Sequence, residues 1–328
     1  TCGTRNGHRN RQSQGNLSTF SPRKTEIGLR SQFLPPSKSS SQGIFLLLQS
    51  MYLIQNLICF LMILLGAMAY PQPTTGDNIQ SNSILSDRKV NDAFQDGEWF
   101  RLRMRYGILN ASYATVMLRE TTFRDQAVYH VAATGKTTGF ARWFFKVDDY
   151  FDSYFEKDVV RPIHFVRNIS EGSYKRHVEI DFDHSTQTGL MHDLRKETKT
   201  EITYAPNLQD LVSTYYFLRN HLDLDEIQVG ETASVNLIYD KEPFAFRFRF
   251  LGYENLKTKF GIVPCIKFRP YVDEGRIFRE NGGLSLWVSN DKNRIPIRVV
   301  ADLRVGSIDV DLESFGGLKH PFKIIVNE

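Results

Sequence analysis

Residues 244–253 read FAFRFRFLGY, and their alternation decides the fold class. Phe244, Phe246, Phe248 and Phe250 fall on one side of an extended chain, Arg247 and Arg249 on the other. A period of two with rings on one face and cations on the opposite face is the signature of a half-buried antiparallel strand. Its expected partner is Thr232–Tyr239, joined to it through Asp240, Lys241, Glu242 and Pro243, a turn composition in which proline fixes φ. Four rings on one face either fill a core or line a cavity. Filling is the default, because aromatic side chains bury much area per residue.

The same period runs outward in both directions. In 98–106, Trp99, Arg101, Arg103 and Arg105 alternate with Phe100, Leu102, Met104 and Tyr106, and strands 112–120 and 126–133 complete a meander. Near the C-terminus, LSLWVSNDKNRIPIRVVADLRVGSIDVDL predicts strands at 284–289, 295–303 and 307–312, separated by polar or glycine turns. Against this background PNLQDLVSTYYFLRNHL stands out. Leu208, Leu211, Val212, Tyr215 and Tyr216 recur at helical spacing, with Asn207 placed to cap and Pro206 at the entry. Many strands and one amphipathic helix predict an all-β domain: a strongly curved antiparallel sheet or incomplete barrel with the helix packed on it.

The C-terminal wording also resembles a family. In DUF3108, a bacterial family of exported domains of unknown function, a Trp-containing strand leads to an Asp-containing turn, an Arg-x-Pro strand and a closing Gly-Ser turn. Trp287, Asp291, Arg294, Pro296, Gly306 and Ser307 match that order. DGEWFRLRMRYGILNASYATV (96–116), FKVDDYFDSYF (145–155) and the helix with Tyr216 and Arg219 match as well, so the resemblance spans about 96–312. Ala111 and Ser112 depart from the family's pattern, which implies a slightly wider first hairpin. The resemblance implies a β-rich fold exported to the bacterial envelope. It brings no assigned activity and no catalytic residue.

Charge and hydropathy divide the chain. The chain opens on Thr1 and its first methionine is Met51, so residues 1–50, polar and without period, are expected to be an over-extended, disordered leader. Residues 51–69 contain LICFLMILLGAMA, an apolar run of signal-peptide length with Ala67 and Ala69 as small residues before a cleavage point at Tyr70. Left uncleaved, the segment is a membrane anchor, the only membrane contact the sequence suggests. A flexible lead-in at 70–95, one domain at 96–316 and a tail at 317–328 complete the division.

Residues 1–69 hold seven of the 41 basic and one of the 37 acidic side chains, so the remaining 259 residues carry 34 against 36. A balance that even gives no clustered cationic surface and excludes nucleic acid as an expected partner. Cys265 is the one cysteine after Tyr70, and in an apolar strand it reads as a small core residue.

The chemistry-bearing motifs are weak. HVAATGKTTGF (130–140) has the Gly-Lys-Thr of a phosphate loop, yet His130 occupies the position of its first glycine and no helix is expected from Arg142 to Lys146. The segment reads as a strand ending in a Gly-Lys-Thr-Thr-Gly turn. HVEIDFDHSTQTGLMHD puts His177, Glu179, Asp181 and Asp183 on one strand face with His184, His192 and Asp193 around the turn, where a hairpin would return His192 close to Asp181 or Asp183. That cluster carries the alternative reading, a secreted hydrolase or metal-dependent enzyme, against the plainer one of a wet strand face. Paired Asp148 and Asp149 beside Arg142 and Lys146 read as a turn anchor. No nucleophile elbow occurs, and neither a cofactor nor a resident metal is expected.

The favoured reading is a non-enzymatic envelope protein that binds a lipid-like ligand, or an envelope protein partner, in the concave sheet. Trp143, Phe145, Tyr215, Tyr216, Phe246, Phe248 and Trp287 are expected to line that site.

Overall fold

The computed structural model describes residue 85 and residues 90–223, 227–271, 283–303 and 306–326. The leader, the signal segment and most of the lead-in fall outside these residues. Fifteen strands run in chain order: β1 Trp99–Tyr106, β2 Leu109–Phe123, β3 Gln126–Thr137, β4 Asp148–Glu156, β5 Pro162–Glu171, β6 Tyr174–Asp183, β7 Thr188–Asp193, β8 Thr198–Thr203, β9 Gln209–Asp210, β10 Thr232–Ile238, β11 Phe244–Thr258, β12 Gly261–Tyr271, β13 Leu284–Ser289, β14 Pro296–Asp302 and β15 Ser307–Gly316. Among the described residues two helices interrupt them, α1 at Gly139–Phe144 and α2 at Leu211–His221. Neither is long and apolar enough to cross a membrane.

All strands belong to one 15-stranded sheet in the order β8-β7-β6-β5-β4-β3-β2-β1-β15-β14-β13-β12-β11-β10-β9. Pairing is antiparallel except between β9 and β10, because α2 intervenes and returns the chain in the same direction. Helix α2 touches both β4 and β10, and β9 touches β5, although these strands lie far apart in that order. Such contacts require the sheet to curl around the helix, as the strand number and the single long amphipathic stripe predict.

Polar contacts fasten the curl where its two limbs meet. Ser153 of β4 donates to Asp210 at 2.6 Å, and Asp240, just after β10, accepts from Arg176 of β6 at 2.5 and 3.1 Å. Arg167 of β5, 1% exposed, lies with its guanidinium 4.1 Å from the Tyr239 ring centre.

The alternation in the opening stretch is realised: Phe248 and Phe250 are buried, Arg247 and Arg249 exposed, and β10 pairs β11 in the register Thr232↔Arg249 to Leu237↔Phe244. In β1, Phe100, Leu102 and Met104 are buried. The first hairpin carries a bulge that leaves Ala111 without a partner on β1, between Met104↔Ser112 and Arg105↔Asn110. The lead-in docks at its end, with Phe94 fully buried and the Asp92 N–H donating to Asn220. Cys265 is 1% exposed, and burial pushes its thiol up to about 12, so it is an inert core residue.

Three local expectations need correction. Helix α2 is capped by Asp210, not Asn207: Asp210 accepts from the Val212 and Ser213 N–H groups, and the Ser213 hydroxyl answers the Asp210 N–H. Asn207 instead adopts φ 62° in the preceding turn, and Gln209 and Asp210 pair with β10, so the helix begins only after them. A second helix exists, because Gly139–Phe144 coils for six residues where none was expected. The expected Gly-Lys-Thr-Thr-Gly turn is in part strand: Gly135, Lys136 and Thr137 belong to β3, paired antiparallel with β2, Gly135 and Lys136 also with β4, so they are extended chain and form no phosphate-cradling loop.

Candidate functional site

Tyr215 and Tyr216 are adjacent on α2, and consecutive helical residues point about 100° apart, so they meet different neighbours. Tyr216 packs edge-on against Phe94, with ring centres 4.9 Å apart, and beside Phe155 at 5.6 Å. Tyr215 stands over Phe100 at 5.9 Å and donates its hydroxyl to the Arg294 carbonyl at 3.3 Å. Burial raises the pKa of both phenols, so each is neutral.

Two mainly apolar cavities lie between α2 and the sheet. The first, about 80 Å³, is bounded by Val212, Tyr215 and Tyr216 of the helix and by Phe100, Leu102 and Met104 of β1. Its far wall is built from small residues, Ser112 and Ala114 of β2 with Ala133 and Gly135 of β3. Register explains the space: Ala114 lies opposite Gly135, and Val116 opposite Ala133, so short side chains face one another where β1 presents long ones. The second cavity, about 70 Å³, is bounded by Leu218 and Leu222 of the helix side, Phe246, Phe248, Phe268 and the guanidinium-bearing Arg219 and Arg294. Tyr215 and Leu286 line both, so they form the partition between them.

Tyr216 borders the first cavity, and its hydroxyl is buried with no hydrogen-bond partner among the described residues. A buried hydroxyl in that position costs stability unless a water or ligand group satisfies it.

Beside the cavities the helix is locked. Arg219, 2% exposed, pairs with the fully buried Glu98 at 2.5 and 2.7 Å. It also donates to the Asn293 and Ala93 carbonyls at 2.7 and 3.1 Å. The rings of Phe94, Tyr215 and Tyr216 surround its guanidinium at 5.2 to 5.4 Å. Burial opposes its charge, but Glu98 more than compensates and holds its pKa above the ordinary arginine value. This pair joins the start of β1, α2 and the 290–294 turn, and sequence reading missed it because 121 residues separate its partners.

Of the residues expected to line the concavity, Tyr215, Tyr216, Phe246 and Phe248 do border the two cavities. Tyr216 serves the first cavity, away from the Phe246–Phe248 wall. Trp143, Phe145 and Trp287 stand elsewhere. Trp143 is 83% exposed on α1. Phe145 packs beneath Gly172, where an added Cβ would lie 3.0 Å from its ring. Trp287 is buried on the face of β13 opposite Leu286 and donates its indole N–H to Glu254 at 2.9 Å.

The Asp and His residues of 177–193 are not gathered. Register sets His192 opposite Glu179, two positions short of Asp181, which pairs with Leu190. Asp181 accepts from Arg124 at 2.6 Å and meets His164 at 2.7 Å. Asp183 binds backbone N–H groups of its own turn, as Asp193 does in the next. Among the described residues no group of three or more His, Cys, Asp or Glu side chains could hold a metal.

Asp148 accepts two hydrogen bonds from Arg142, both at 2.9 Å, and anchors the turn as its position suggested. Asp149, pointing inward opposite Gly135, is fully buried beside buried Glu171. Burial first, and the Glu171 charge second, push its carboxyl up to about 8.

No curated protein matches the chain. Its fold is similar to a beta-barrel-like protein of the domain of unknown function DUF1849 from Brucella abortus, at 8% identity over 69% of this chain and 99% of that one, with a TM-score of 0.44. It is also similar to the hypothetical protein CT021 from Chlamydia trachomatis, at 6% identity over 71% and 94%, with a TM-score of 0.32. Likeness of this depth carries no argument about activity. The sequence model of DUF3108, a family of proteins of unknown function, matches residues 101–313, most of the described domain, and the chain belongs to that family.

Proposed function

We propose that this protein is an exported, non-enzymatic carrier that holds a slender apolar chain between α2 and the concave sheet. The observation that carries the reading is the pair of cavities that share Tyr215 and Leu286 as lining, with Tyr216, whose buried hydroxyl has no hydrogen-bond partner among the described residues, bordering one of them. An apolar cavity of about 150 Å³ accepts benzene. Each cavity alone is about half of that, and only joined do about 80 and about 70 Å³ reach it. The ligand class is therefore a straight alkyl or acyl chain, long enough to pass Tyr215 and too thin to need a wider space. Arg219, its charge met by Glu98, and Arg294, which donates to the Arg219 carbonyl at 2.6 Å, line the second cavity and no acidic side chain does, so no lining carboxylate repels an anionic or neutral head group there.

Calorimetric titration with straight-chain alkyl carboxylates of increasing length tests this. Affinity is expected to climb with each methylene until both cavities are filled, at about 0.8 kcal/mol per CH₂, while a fused-ring carboxylate does not bind. Equal binding of the ring compound, or no length dependence, sinks the proposal.

Export rests on residues 51–69. The expected mature chain begins at Tyr70 in an envelope fraction, and N-terminal sequencing that finds an intact cytosolic chain contradicts it.

A further inference from the structure

We propose that the end of the sheet carrying α1 is a docking surface for an anionic lipid membrane. The helix is held from below and bare above. The Thr138 N–H donates to the Ala111 carbonyl at 3.0 Å, and Arg142 reaches back to the Thr137 and Val147 carbonyls and to Asp148. Phe145, at its C-terminal cap, tucks beneath Gly172. None of the six helical residues is buried. Phe140, Trp143 and Phe144 are 63%, 83% and 52% exposed and pack on one another at 4.5 to 6.4 Å, forming a small aromatic cluster.

The neighbouring β1–β2 hairpin tip adds Ile108 at 98% and Leu109 at 53% exposure. The Thr138–Ala111 bond places that tip at the same end of the sheet. These five exposed apolar side chains stand at one end of the sheet, and apolar side chains gathered on an exposed surface mark a contact site.

Charge decides what contacts it. Lys136, Lys146 and Lys175 are exposed around this end, and the one Asp148 carboxylate is shared by Arg142 at 2.9 Å and Lys146 at 3.4 Å, so positive charge stays in excess there. The acidic neighbours Asp149 and Glu171 are buried. Rings on a rigid tip surrounded by lysines fit the interfacial zone of a bilayer with anionic head groups, where indoles settle at head-group depth and lysines meet the surface potential. Interfaces with folded proteins are depleted in lysine, so a ring of lysines favours the bilayer over a protein partner. The sequence confined membrane contact to residues 51–69, whereas this surface belongs to the folded domain. Its small-residue neighbours Ser112 and Gly135 are the end of the first cavity's wall, but the docking holds whether or not the cavity takes a ligand.

The test uses the full chain with vesicles of phosphatidylcholine alone or mixed with phosphatidylglycerol, their acyl chains brominated to quench tryptophan. Quenching is expected with the anionic vesicles, and Trp143→Phe should abolish it, because Trp287 is buried and Trp99, the third tryptophan, opens β1 at the end of the strand far from the 106–109 tip. Replacing Lys136, Lys146 and Lys175 together by Gln should weaken vesicle binding at least about tenfold, following the roughly one unit of attraction each basic residue supplies near a charged surface. Quenching that persists in Trp143→Phe, or that never appears although the chain sediments with vesicles, overturns the proposal, since residues 51–69 would then account for the binding. A dimer that dissociates when Phe140, Trp143 and Phe144 become Ser, with no lipid quenching, also overturns it in favour of a second copy as occupant.

Discussion

The Arg219 clamp and the first cavity, both beside α2, solve the same packing problem in opposite ways. On the Arg219 side every group is engaged: a buried ion pair with Glu98, two backbone carbonyls and three rings close around one guanidinium. Over the first cavity, space is left over, because Ser112, Ala114, Ala133 and Gly135 present almost no side chain to the helix. Protein interiors pack to crystal density, so a helix can lie over hollow space only if something else fixes its position. The clamp supplies that fixed position, and the hollow is then free to take a ligand without the helix collapsing onto the sheet.

The largest effect expected from breaking this contrast lies at the clamp. Arg219→Met leaves Glu98 buried without its partner and should cost about 3 to 5 kcal/mol in urea unfolding. Adding Glu98→Leu should restore much of that loss, since the pair itself is close to break-even against apolar replacements. A single-mutant cost below about 1 kcal/mol means the clamp does not position the helix.

The next effect lies on β4, where Asp149 pairs with Gly135, and depends on pH. Asp149 keeps its proton up to about pH 8 in the folded chain, while its ordinary pKa is 3.8. Below about pH 4 both states are protonated and stability does not depend on this group. From there to about pH 8 the unfolded chain ionises and the folded one does not, so stability falls as pH rises, by at most about 1.4 kcal/mol per unit, and then levels off. Asp149→Asn should flatten the profile between pH 5 and pH 8. An unchanged profile in the variant assigns the slope to other groups.

How much of this was legible in the chain follows from what each signal encodes. Period-two alternation names the buried face of a strand, and Phe246 and Phe248 were placed by it. It cannot say which layer covers that face, so Trp287, on the other face of its own strand, was assigned to the same wall. Helix α1 escaped notice because GFARWF is too short for a periodic stripe and its cap residue Thr138 makes no side-chain cap bond. The hairpin 183–188 did not fix its own register, and a two-residue slip moved His192 from Asp181 to Glu179. The cavities were invisible for a related reason: Ala114 and Gly135 look unremarkable singly, and become a hollow only when β2 and β3 set them opposite each other. The Glu98–Arg219 pair leaves no local trace at all.

The smallest expected change in stability carries the central claim. Ala133→Leu adds apolar volume to the wall of the first cavity without touching the clamp, and a filled hollow should leave stability unchanged or raise it by about 0.5 to 2 kcal/mol. Native mass spectrometry of the protein purified from its own host, beside this variant, is the direct measurement. The account predicts a co-purifying amphiphile of alkyl-chain mass on the wild type and none on Ala133→Leu. An unliganded wild type, together with a variant destabilised by about 1 to 3 kcal/mol through overpacking, would show that the space beneath α2 is core and that nothing is carried there.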